Sequence, residues 1–135
     1  MKLTVLVDNN TLIDRYFLAE PALSFFIEEG DTRILFDTGY SDAFMKNADK
    51  MRIDLRDLDY VVLSHGHVDH TWGLTHLIRL HMEAKNEEIE HNTPRIIGHP
   101  LVFNTKLFDP VGEIGSVLSQ EKLSRHFPVQ CTKEP

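Results

Sequence analysis

The sequence predicts an α/β domain built on a mixed sheet with helices on one face. Three observations carry that expectation. Short apolar runs rich in β-branched and aromatic residues recur at residues 3–8, 23–28, 32–36, 60–64 and 95–98, most of them bounded by turn formers. A longer stretch, residues 71–84, has a helical period instead, with Leu74, Leu77, Ile78 and His81 at i, i+3, i+4 and i+7. The chain of 135 residues, 41% of them hydrophobic, is one domain in size and buries enough surface for a core.

The elements follow in order. Residues 3–8 alternate as a strand does. Residues 23–28 and 32–36 form two more, joined by Glu29-Gly30-Asp31, because glycine supplies the positive φ of a tight hairpin turn. Ser41 is placed to cap a helix through Asn47, with Asp42 near its positive end and Phe44 and Ala48 facing inward. Residues 54–58 make a short turn before the buried strand at 60–64, and the helix at 71–84 comes next. Residues 83–92 are heavily charged and read as a solvated helix end and loop. Arg95–Gly98 is a short strand, and residues 100–106 are a helical piece with Pro100 at its start. Ser119 reads as an N-cap, with Leu118 and Leu123 placed as a hydrophobic staple. That helix runs to about Phe127, and residues 128–132 begin another strand.

The main sheet is expected from strands 3–8, 23–28, 32–36 and 60–64, with the helices at Ser41 and Thr71 on one face. No remaining segment is suited to cover the other face, since 83–92 is too charged and 129–132 too short. An apolar face of that size is expected to pair, either in a homodimer or with a second half-domain.

Composition narrows the function. Net charge is −7, from 21 acids against 14 bases, and no cluster of Lys or Arg appears. That argues against nucleic acid or an anionic membrane as partner. Cys131 is the only cysteine, so no intrachain disulfide forms and it reads as a reduced thiol. The N-terminal apolar run is too short for a signal-peptide core, and no run spans a bilayer, so a cytoplasmic location is expected.

The chemistry concentrates in His65-Gly66-His67-Val68-Asp69-His70, between the strand at 60–64 and the helix at 71–84. Imidazole and carboxylate are ligands that zinc and its neighbours prefer. In an extended segment His65 and His67 point the same way and can bind one metal together. Asp69 and His70 come as the chain bends, where they can serve a second metal nearby. A surface histidine cluster without a ligand is the bland alternative, and four ligand types within six residues weigh against it.

This H-x-H-x-D-H run resembles the defining motif of the metallo-β-lactamase superfamily. Residues 33–39, ending Asp37-Thr38-Gly39, are similar to the superfamily's strand and Asp-x-Gly turn beneath the metal site. Residues 5–10, Leu23-Ser24-Phe25, Leu63-Ser64-His65-Gly66-His67 and Gly98-His99-Pro100 resemble one branch, the dihydropterin–ribofuranosylaminobenzene phosphate synthases of methanopterin biosynthesis. The resemblance implies an αβ/βα sandwich of which this chain is the N-terminal αβ half, a single incomplete domain. It also implies further ligands, two histidines and a bridging Asp, from a second half absent here, so the chain is expected to be a truncated piece or to be completed by another chain.

The function so implied is metal-dependent hydrolysis, with one or two zinc ions (Mn, Fe or Mg being alternatives) acidifying water to attack an ester, lactam or phosphate centre. Asp69 would be the catalytic residue, orienting that water and holding the second metal. A truncated chain is expected to be inactive. One alternative is a transferase that displaces pyrophosphate from a pterin substrate; another is a non-catalytic metal-binding or assembly module. Asp37 has two readings: it caps a turn, or, as the resemblance implies, it orients a metal-binding imidazole and fixes its tautomer. His99, in a strand-end loop, reads equally as a substrate contact or a structural residue. Trp72 would wall the mouth of the site or crowd a substrate out. Asn9 and Asn10 are explained by Asx-turn chemistry, with substrate contact the lesser reading for Asn9. His76 and His81 read as packing or solvent residues, and His91 and His126 carry no signal.

Overall fold

The computed structural model describes residues 1–133. Six strands form one mixed sheet in the order β1-β2-β3-β4-β5-β6, comprising Lys2–Val7, Ser24–Glu29, Thr32–Phe36, Tyr60–Leu63, Arg95–Gly98 and Val129–Cys131. The first three pair antiparallel and the last three join in parallel. The sheet is therefore wider than the four strands expected from sequence, because both short C-terminal runs add to its edge. A separate two-stranded ribbon, Leu107–Phe108 with Gly112–Glu113, lies in a stretch to which the sequence assigns no element.

Parallel pairing needs crossovers, and each carries a helix. Helix α1, Ala43–Lys50, links β3 to β4, and α4, Gln120–Ser124, precedes β6. The β4–β5 crossover holds two helices, α2 at Val68–Thr71 and α3 at Leu74–Asn86, rather than one helix from Thr71. The break falls at Gly73, where a Cβ would lie 1.9 Å from the Thr38 carbonyl oxygen. Only a glycine lets α3 start against that loop. Helix α1 also begins later than expected: Ser41 Oγ donates to Glu20 Oε2 at 2.6 Å and accepts from the Ala43 N–H, and Asp42 takes the cap position. Ser119 caps α4 as expected, accepting from the Lys122 N–H.

Cross-strand register sorts the sheet into rows. Phe26, Leu35, Val61 and Ile96 are adjacent across β2–β5 and are all buried. They pack in one core with Phe44 and Ala48 of α1, Leu74, Leu77 and Ile78 of α3, Leu123 of α4, and Phe127. The neighbouring rows point the other way. One runs Leu3, Ile27, Ile34, Tyr60, and the next Val5, Phe25, Phe36, Val62, Ile97. Leu3, Val5 and Tyr60 are 50%, 44% and 37% exposed, and the others are half-buried. Among the described residues, no helix covers this second face.

Candidate metal centre

The carboxyl ends of β3 and β4 lie side by side, and the turns that leave them meet. Asp37 directly follows β3 with φ +55°, fully buried. Its backbone N–H donates to the Val62 carbonyl and its own carbonyl accepts from Ser24 Oγ, so the turn is fixed from both sides. Its carboxylate then faces β4. Oδ1 accepts from the Ser64 N–H at 2.8 Å, and Oδ2 lies 2.6 Å from Ser64 Oγ and 2.7 Å from His70 Nδ1.

His65 leaves β4, while Asp69 and His70 ride on α2. The last carbonyls of this short helix find donors outside it: Thr38 gives both N–H and hydroxyl to the His70 carbonyl, and the Leu23 N–H reaches the Asp69 carbonyl. These bonds satisfy orphan groups at a helix end and hold the two ligand-bearing residues in place. Gly66 is required for a similar reason. A Cβ there would meet the Val102 carbonyl oxygen at 1.9 Å and Lys106 Nζ at 2.6 Å. The Lys106 ammonium is itself held by three carbonyls, those of Leu101, Val102 and Asn104.

Ligand atoms of His65, Asp69 and His70 lie within 4.8 Å of one another, a group that could hold a metal ion. Two imidazoles and one carboxylate are a donor set that a borderline divalent ion accepts. His70 Nε2 stands 3.3 Å from Asp69 Oδ2, so its ring spans from Asp37 to the trio. The hydrogen bond that His70 donates to Asp37 raises the His70 pKa, whereas burial, reinforced by His70 and His67, lowers that of His65. A proton on His70 competes with any cation for the same nitrogen.

The other sequence-predicted residues fall around this trio. The His67 ring stands edge-on to His65 with centroids 4.6 Å apart, but His67 lies outside the trio and begins α2 as its N-cap. The sequence expects His65 and His67 to share one metal, with Asp69 and His70 serving a second; the structure gathers the ligand atoms of His65, Asp69 and His70, because α2 starts at Val68 and brings the later two residues back. Trp72 donates its indole N–H to the Gly115 carbonyl and meets Tyr40 edge-on, pinning the segment after the ribbon. His99 accepts from the Leu101 N–H through Nδ1 and caps the turn at Pro100–Phe103, a structural use of the ring. Asn9 is exposed beyond β1, where the turn is made by Asp8 accepting from the Asn10 N–H. His81 is buried with Phe127 against its ring. Sequence reasoning missed Ser64 as a site residue, although it directly precedes the motif.

A mixed sheet with helices on one face and a His/Asp cluster at the strand ends defines an α/β domain with a candidate metal site. The family model for the metallo-β-lactamase superfamily matches residues 18–100, and the chain belongs to that superfamily. It is 32% identical over 108 residues to the 7,8-dihydropterin-6-methyl-4-(β-D-ribofuranosyl)-aminobenzene-5′-phosphate synthase of Methanocaldococcus jannaschii, covering 76% of this chain and 34% of the relative. An uncharacterised protein of the same organism is 38% identical over 74 residues, covering 55% of this chain and 28% of that one. The crystal structure of a metal-dependent hydrolase of the β-lactamase superfamily superposes with a TM-score of 0.71 at 26% identity, covering 98% of this chain and 42% of that one. The chain thus spans about a third of the length of these curated relatives. Among the described residues, no helix is long and apolar enough to cross a membrane.

Proposed function

We propose that this chain carries the metal-holding part of a metal-dependent hydrolase, with zinc as the ion and His65, Asp69 and His70 as its ligands. The observation that carries this reading is the convergence of their ligand atoms within 4.8 Å, with His70 braced on the buried Asp37. His67, whose ring adjoins His65, stands ready to take part in a second site. When bound, the ion supplies Lewis acidity toward an ester, lactam or phosphate oxygen and acidifies water. Asp69 holds a carboxylate at the same spot, where it accepts a proton or orients water, and Asp37 keeps His70 aimed. The chain alone turns over little substrate, since the resemblance assigns it only part of a complete ligand set. A cytoplasmic setting suits it.

Metal analysis of the purified chain tests this. Wild type is expected to hold a zinc-like ion that His70→Ala loses. Equal metal content in the two proteins refutes the assignment.

A second reading has its own support, the 32% identity with the dihydropterin phosphate synthase. In it an ion held by His65, Asp69 and His70 would supply positive charge for a departing diphosphate, and the substrate is a phosphate-bearing pterin. Pyrophosphate binding to the zinc-loaded chain separates this from simple hydrolysis. In either reading the open sheet face pairs with a second sheet, from another copy of this chain or a second half-domain. A module that holds metal without catalysis differs from both by showing metal content and assembly but no turnover with any partner.

A further inference from the structure

We propose that Ser64 is a positioning residue that sets the tautomer of His65, so that a single carboxylate, Asp37, orients both imidazoles of the trio. This deepens the metal-centre reading and rests on it for its consequence, though not for its test.

The geometry assigns the protons by elimination. The Asp37 carboxylate is fully buried and can only accept while ionised. Three donors converge on it: the Ser64 N–H at 2.8 Å, Ser64 Oγ at 2.6 Å and His70 Nδ1 at 2.7 Å. A hydroxyl has one proton, and at 2.6 Å from a carboxylate oxygen that proton goes to the carboxylate in a charge-assisted bond. Ser64 Oγ can then offer only its lone pairs to its other neighbours. His65 Nδ1 lies 3.0 Å from this oxygen. That contact is favourable only if Nδ1 carries hydrogen, which leaves the Nε2 lone pair of His65 free. His70 Nδ1 is 3.4 Å from Ser64 Oγ, farther than from Asp37, so its proton goes to the carboxylate directly.

The network therefore has one root and two branches. His70 is oriented by Asp37 directly, and His65 through the Ser64 hydroxyl. His70 presents Nε2 to Asp69, and a proton on His65 Nδ1 leaves Nε2 as the His65 nitrogen with a lone pair to offer the trio. The tautomer of a metal-binding histidine is set by the bond its other nitrogen makes, and free imidazole side chains favour hydrogen on Nε2. Without Ser64 Oγ, His65 would revert to that form and offer the trio a donor in place of a lone pair.

The test is ¹⁵N NMR of the histidine rings in the metal-free full chain, at alkaline pH where the rings are neutral. In wild type, His65 and His70 are both expected with hydrogen on Nδ1. In Ser64→Ala, His65 shifts to hydrogen on Nε2 while His70 keeps its form, and Ser64→Thr, which retains the hydroxyl, restores the wild-type signal. Zinc competition titration should show about a tenfold loss of affinity for Ser64→Ala and recovery for Ser64→Thr, as for other groups that orient metal ligands. Hydrogen on His65 Nε2 in wild type overturns the proposal. So does an unchanged His65 signal in Ser64→Ala, or an equal change in His70, which would place the effect in Asp37 rather than in the hydroxyl. A failure of zinc binding with the tautomers as expected would refute the metal reading and leave the hydrogen-bond assignment standing.

Discussion

The two faces of the sheet use the same kinds of residues and meet different fates. Phe26, Leu35, Val61 and Ile96 lie under α1, α3 and α4 and are buried. Leu3, Val5, Ile27, Ile34, Phe36 and Val62, one residue out of phase, face away from every helix. A sheet with one wet face ordinarily alternates apolar and polar residues. This one places apolar residues on both faces, the pattern of strands covered on both sides. The difference lies in what stands over each face, since the strands themselves are dressed alike. Helices supply the cover on one side within the chain; among the described residues, no helix stands over the other.

That comparison can be broken at several points. The largest effect is expected from a truncation in the covered row. Leu35→Ala should cost about 2–5 kcal/mol in urea unfolding, the range for buried aliphatic side chains cut to alanine. Ile34→Ala, on the open face next to it, should cost less than half as much. Equal losses would mean that the open face is covered in solution.

A smaller effect is expected from acid. His81 is buried in the covered layer. Its Nδ1 lies 3.0 Å from the Leu77 carbonyl oxygen, Nε2 has no partner, and Phe127 stands edge-on to the ring. Burial lowers its pKa from the ordinary value of 6.5, with the charges of His91 and Lys85 adding to the effect. The unfolded chain therefore binds a proton here more readily than the folded one. Stability is full above about pH 6.5 and falls as pH drops below it. His70 works the other way, since Asp37 raises its pKa and its contribution is lost as pH rises. In melting curves at pH 7.5 and 5.5, His81→Leu should lose less stability on acidification than wild type. Parallel losses would clear His81 of the effect.

The smallest effect on stability, though not on assembly, should come from the open edge. Leu3→Lys with Val5→Lys is expected to leave the unfolding midpoint within about 0.5 kcal/mol of wild type, as for exposed sites. Light scattering across a concentration series should show mass rising for wild type and staying flat for the double variant. A wild-type chain that stays monomeric at high concentration would break the proposed pairing.

What the sequence disclosed, and what it hid, divides along the same line of local against distant. The H-x-H-x-D-H run, the strand lengths, the Ser119 cap and the apolar second face are local patterns, and the structure contains each of them. The start of α2 at Val68 and the break at Gly73 were not legible, because they depend on the Thr38 loop arriving from 35 residues away (Gly73 minus Thr38). The two-residue strands of the ribbon are too short to show any period. Ser64 was overlooked because serine before a histidine motif has no meaning until Asp37 is seen beneath it. The cap that His99 forms by accepting from the Leu101 N–H was likewise hidden, because a histidine before a proline does not announce that bond.

The bond between Asp37 and His70 spans 33 residues of chain, and this bears on the order of folding. Three candidate ligands, His65, Asp69 and His70, lie within six residues and can be gathered by a metal before the chain is organised. Their brace cannot. Asp37 reaches them only after β3 and β4 have zipped in parallel with the whole of α1 already closed between them, a non-local event of the kind that sets slow folding rates. A metal ion present from the start would thus meet the ligands first and the scaffold later. Its hold on the unfolded chain would subtract from what it adds to the folded one.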